Sequence, residues 1–101
     1  MFTKQYLKTK DLWKVRFKLS HAQIGPADAV YLVGEFDHWD EKARPMTKLK
    51  NGDFTLVMDL EPNKAYQFRY LVDGKSWVND DNADAYLPSP FPGVDNSVIT
   101  L

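Results

Sequence analysis

Apolar and polar residues alternate strictly along three stretches of the chain. Trp13, Val15, Phe17 and Leu19 are separated by Lys14, Arg16 and Lys18. Phe54, Leu56, Met58 and Leu60 repeat the pattern, as do Tyr66, Phe68, Tyr70 and Val72 against Gln67, Arg69 and Leu71. Successive side chains of an extended strand point to opposite faces, so each stretch predicts a half-buried β-strand. The unbroken apolar run "VYLV" (30–33) predicts a fourth, buried strand. Weaker strand signals lie at 3–7, 46–50, 77–78 and 97–101.

Turn chemistry separates these runs. Asn51-Gly52 and Asp73-Gly74 each sit between strands, and both dipeptides suit a type I′ hairpin, whose central residues need positive φ. "EPNK" (61–64) is a further turn started by proline. "YLPSPFPG" (86–93) carries three prolines, which excludes a central strand and leaves an ordered loop or an extended edge. No long stretch has a 3.6-residue period with caps, and there is neither an internal repeat nor a linker. Short strands with a turn about every ten residues predict an all-β, antiparallel β-sandwich, a single domain over residues 1–101.

Composition narrows the function. A net charge of −1 gives no field to draw in nucleic acid or an anionic membrane. The acidic stretch Asp73, Asp80, Asp81, Asp84 and Asp95, against Lys75 alone, points the same way. With no cysteine there is neither a disulfide frame nor a thiolate zinc site. The first residues lack the apolar core of a signal peptide, and no window approaches the ~20 apolar residues of a membrane span. The expected setting is intracellular and cytoplasmic.

The unusual number is aromatic: three Trp, five Tyr and six Phe. Trp13 shares the inward row of Val15, Phe17 and Leu19, and Tyr66, Phe68 and Tyr70 form another. Trp39 and Trp77 belong to neither row. Trp39 lies in "GEFDHWD" (34–40), after a strand has ended, and Trp77 lies just past the Asp73-Gly74 turn. Arg69, opposite in parity to Phe68 and Tyr70, should face solvent near Trp77. Leaving an indole of ~200 Å² in water is costly. Two readings follow: both rings cap the ends of a small sandwich, or they form a platform for a flat ligand. A glucose ring suits such a platform, since its axial C–H groups make an apolar face and its hydroxyls ring the edge.

The stretch from Ala29 to Leu101 resembles carbohydrate-binding module family 48. The markers occur in order: "GEFDHW", "YQFRYLVDG", Trp77 soon after, and "NSV" before the end. The family includes the glycogen-binding domain of the AMP-activated kinase beta subunit and the early-set domains of isoamylases and glycogen-branching enzymes. The resemblance implies an immunoglobulin-like sandwich of the early-set type, with about seven to eight strands, that binds α-1,4-glucans such as glycogen, starch or maltooligosaccharide. It places the platform on Trp39 and Trp77, a basic sugar contact on Arg69, and a sugar-contacting amide on Asn96 that both donates and accepts. An apolar contact on the preceding loop falls on Phe91. Many kinase-type members carry Lys where this chain has Arg69, and the hairpin after "VDG" is one residue longer here. The alternative is a protein-interaction domain that docks on a glycogen- or starch-metabolising enzyme without binding sugar.

Catalytic and metal readings are weaker. Glu35, Asp37, Asp40 and Glu41 cluster near Trp39 but read as a solvated acidic loop rather than the paired carboxylates of a glycosidase. Ser20-His21 and His38 fit no nucleophile signature. "DDNADA" (80–85) has calcium-like spacing, but Ala85 stands where the loop needs Gly and Phe91 where it needs Glu. The sequence therefore predicts a non-enzymatic module with no cofactor and no metal.

Overall fold

The computed structural model describes residues 1–90 and 94–101. Among these residues nine strands run in order: β1 (Phe2–Leu7), β2 (Leu12–Leu19), β3 (Val30–Gly34), β4 (Thr47–Lys48), β5 (Phe54–Leu60), β6 (Ala65–Val72), β7 (Ser76–Val78), β8 (Ala85–Pro88) and β9 (Asp95–Thr100). One antiparallel sheet has the order β1-β2-β5-β4; the other has β3-β6-β9-β8, with β7 also paired to β6. β9 pairs with the first half of β6 and β7 with the second half. The orders 1-2-5-4 and 3-6-9 are those of the two sheets of an immunoglobulin sandwich.

The inward rows close the core as the alternation predicts. Phe17 of β2 meets Phe68 of β6 at 5.2 Å between ring centroids, edge to face, which joins the two sheets. Phe2 packs on both rings at 5.9 and 6.0 Å. Phe17, Phe68 and Tyr70 are fully buried, whereas Trp13 and Tyr66 close the core at its margin. Trp13 lies against Tyr6 at 5.2 Å.

Three features depart from the sequence reading. Among the described residues the strand count is nine rather than seven to eight, because Ala85–Pro88 pairs with β9 at the sheet edge, where Pro88 costs no ladder bond on its free side. The stretch expected as a strand at 46–50 is split between the sheets: Pro45 bridges Tyr31, Met46 N donates to Val30 O at 2.8 Å, and only Thr47–Lys48 pair with β5. Asp73 (φ 52°) and Gly74 (φ 68°) form the expected type I′ turn, but Asn51 has no positive φ and Gly52 (φ 91°) alone takes the left-handed position. The connection there runs over residues 49–53 between the paired Lys48 and Phe54, against 73–75 between Val72 and Ser76, and Asn51 uses its side chain instead, accepting from Asp53 N at 3.0 Å.

Asp73 also fastens the start of β3. Its Oδ1 accepts from Ala29 N at 2.9 Å and Asp28 N at 2.8 Å. These bonds favour the carboxylate, Ala29 first, and hold its pKa below the ordinary 3.8. A depressed native pKa contributes stability above the unfolded value, and that stability is lost as pH falls through the native one. Asp73→Asn should therefore lose less Tm than wild type between about pH 5 and about pH 2. Melts of the two proteins over this range check it, and an equal loss of Tm in both would overturn the assignment.

No helix among the described residues is long and apolar enough to cross a membrane.

Candidate functional site

The loop that carries Trp39 begins at Gly34. A Cβ there would lie 2.8 Å from Gln67 O, from Phe68 Cβ and from Phe36 Cζ, so the end of β3 rests directly on β6. A 3-10 turn follows over Glu35–Asp37. Its Phe36 turns inward against Phe17 and Tyr66, at 6.2 and 6.0 Å. Glu35 Oε1 accepts from Gln67 N at 2.6 Å, and Asp37 accepts from Arg44 Nε at 2.9 Å. Asp40 Oδ1 accepts from Lys42 N at 2.9 Å. Three of the four acids expected to form a solvated loop are thus its fasteners.

These bonds hold a costly backbone. His38 (φ 55°) and Trp39 (φ 61°) are both left-handed, a conformation that costs a residue with a side chain about 1–2 kcal/mol. Trp39 N donates to Gly34 O at 2.9 Å, which folds the loop back on its own start. Trp39 is thereby turned outward, 38% exposed.

Trp77 arrives by strand pairing. It lies opposite Leu71 of β6, and directly opposed residues share a face. Gln67, Arg69 and Leu71 form the outer row of β6, so Trp77 joins them on the outer face, 40% exposed. The Arg69 guanidinium sits over its ring, 5.6 Å from the centroid. Arg69 is therefore half-buried rather than free in solvent. Desolvation draws its pKa below the ordinary 12.5, but a guanidinium stays protonated. Among the described residues, Arg69 Nε is the buried side-chain polar atom without a hydrogen-bond partner. Such atoms are rare in native proteins.

Asn96 comes from β9. The pairing Gln67↔Val98 puts Asn96 two positions along on the same outer face. It is only 5% exposed, and its Nδ2 donates to Gln67 Oε1 at 3.1 Å. Trp39, Arg69, Trp77 and Asn96 all line one groove of about 1440 Å³, walled on one side by Pro88, Ser89 and Pro90. Ordinary small-molecule pockets hold ~300–1,000 Å³, so the groove suits an extended ligand. Phe91, the proposed apolar contact, lies outside the described residues.

Two groove residues were legible but not singled out. Gln67 stands two before Arg69 in the same outward row. Asn79 also lines the groove, but its amide is spent on Asp95 O at 2.8 Å and on the Ser97 hydroxyl at 3.0 Å. Leu87, 45% exposed, pairs with Asn96 and so shares its face.

The acidic stretch is less of a surface than its sequence suggests. The Asp80 side chain is fully buried. It accepts from the Tyr70 hydroxyl at 2.6 Å and is paired with the Met1 ammonium. Burial, with Asp80 adding, pushes the Tyr70 phenol well above 10, so it remains a donor. Asp84 pairs with Lys4 at 2.6 Å. Among the described residues, no group of three or more His, Cys, Asp or Glu side chains is placed to hold a metal ion.

A β-sandwich with an open groove, two outward indoles and polar side chains along its floor has the form of a carbohydrate-binding module. The chain belongs to the family described as the glycogen recognition site of AMP-activated protein kinase, which matches residues 15–87. That span includes Trp39, Arg69 and Trp77 and stops short of Asn96. A comparison with curated proteins returns no match.

Proposed function

We propose that this chain is a non-catalytic module that binds α-1,4-glucan, in the form of glycogen, starch or maltooligosaccharide, in the groove between Trp39 and Trp77. The observation that carries this reading is the exposure of both indoles in one groove, in a chain whose family is a glycogen recognition site. Each indole stacks on the C–H face of a glucose unit, and Arg69 and Asn96 take edge hydroxyls. Glu35, Glu41 and Asp95 line the same groove against Arg69, which disfavours a phosphate backbone and suits an uncharged ligand. Glu35 and Asp37 are committed to Gln67 N and Arg44, which leaves them ill suited to the paired acid and base of glycoside hydrolysis.

An open groove leaves hydroxyls partly wet, so the affinity is modest: Kd between about 1 mM and about 1 μM. Binding many sites on one polysaccharide particle raises avidity further. Titration with maltoheptaose and with β-cyclodextrin, followed by Trp fluorescence, should saturate in this range. It should also depend weakly on salt, because the ligand is neutral. No change at about 10 mM ligand, where even ~1 mM affinity would register, sinks the reading. Binding to a glycogen-metabolising enzyme without any sugar response would then make the outward rings a protein-docking surface.

A further inference from the structure

Asn96 is not free to serve a ligand as an ordinary surface amide does. Its Nδ2 donates to Gln67 Oε1 at 3.1 Å, and it is 5% exposed. Gln67 is half-buried on the neighbouring strand, and its backbone N–H is held by Glu35 Oε1 at 2.6 Å. Each side chain therefore restrains the other. A primary amide has one acceptor oxygen and two N–H donors. The shared bond consumes the Gln67 oxygen and one Asn96 N–H. Among the described residues, Asn96 Oδ1 and Gln67 Nε2 make no hydrogen bond, and both residues line the groove. The pair presents an acceptor and a donor side by side, beside the Arg69 guanidinium two positions along β6.

We infer that Gln67 is a specificity-determining residue that acts with Asn96 as one amide pair, reading two adjacent hydroxyls of a sugar, Gln67 as donor and Asn96 as acceptor. The inference rests on the glucan reading above and deepens it. The chemistry matches because neighbouring ring hydroxyls each donate and accept: one donates a hydrogen bond to Asn96 Oδ1 and the other accepts one from Gln67 Nε2. Turning Asn96 alone would set two oxygens against each other, so the shared bond couples the orientations of the two amides before the ligand arrives. Preorganised polar groups lose little entropy on binding. A lone surface Asn would turn independently to suit either partner; in this pair the two amides turn only together.

Gln67→Glu is the discriminating variant. It preserves shape and the oxygen that accepts from Asn96 but replaces the groove-facing donor with an acceptor. Expected are an unchanged fold and maltoheptaose binding weakened about tenfold or more. The loss should shrink for a maltooligosaccharide analogue lacking the 2- or 3-hydroxyl that Gln67 reads; a merely structural change would weaken all ligands alike. In wild type, the Gln67 side-chain amide signals in a 15N–1H spectrum should move on adding maltoheptaose. Those of Asn51, whose amide is tied to Asp53 at 3.1 Å outside the groove, should stay. If wild type binds maltoheptaose, Gln67→Glu binds it equally and the Gln67 amide signals do not move, the inference fails and the glucan reading stands. If Gln67→Glu fails to fold, the wild-type amide signals alone decide between the same two outcomes. If wild type binds no glucan, both fail together.

Discussion

Trp77→Ala should weaken maltoheptaose binding by about thirtyfold or more, the effect of removing a central aromatic anchor worth ~2 kcal/mol. Stability should change little, because Trp77 is 40% exposed and lies on a three-residue strand at the outer face of the sheet. The loss has two sources. The stacking surface disappears, and the Arg69 guanidinium loses the ring over which it is held at 5.6 Å. Trp77→Phe keeps a flat apolar surface and should recover part of the affinity. Trp39→Ala should show a comparable loss, and the double variant should show no measurable binding. Fluorescence titration cannot follow the double variant well, so calorimetry is the better measurement there. Full affinity in Trp77→Ala, with the fold intact, would move the site away from this groove.

Gly34→Ala should lower stability by about 2–3 kcal/mol, an overpacking cost. For a domain of this size that corresponds to a fall in Tm of about 10–20 °C. The backbone conformation at Gly34 is extended, at φ −167°, and suits any residue. The penalty is one of space. The added methyl would meet Gln67 O and Phe68 Cβ at 2.8 Å. Neither can swing away as the end of a flexible side chain could. Relief requires β3 to part from β6, which strains the Glu35–Gln67 bond and the loop that raises Trp39. The folded fraction should therefore also bind glucan less well. Thermal melts by near-ultraviolet circular dichroism, with a parallel titration, check both parts. A Tm within ~3 °C of wild type would mean that the sheet relaxes at little cost.

Most of the sandwich is legible because a strand with one buried face writes its geometry into every second residue. Val15, Phe17 and Leu19 are buried and Lys14, Arg16 and Lys18 exposed, as the alternation requires. Asp73-Gly74 carried its turn type for the same local reason, since the dipeptide tolerates two positive φ values. β8 was legible only as one of two alternatives, an ordered loop or an extended edge, because the prolines around it describe what cannot pair and not the edge of β9 that is open to it. Asn51-Gly52 misled because turn type depends on the length of the loop between paired residues, which is a property of register.

At the groove, sequence alone sorted Trp39, Trp77 and Arg69 away from the core, because they break or oppose the inward rows. It could not bring them together. Trp39 reaches the face of Trp77 only because Gly34 lets β3 lie on β6 and because Glu35 and Asp37 stabilise two left-handed residues. Those bonds join positions more than thirty residues apart in one case and seven apart in the other. The pairing of Asn96 with Gln67 likewise links β9 to β6. Periodicity and turn chemistry act within a few residues and so survive in the sequence as a local pattern. The shape of the groove and the direction of its hydrogen bonds arise between strands distant in the chain, where only the packed sheets determine which groups meet.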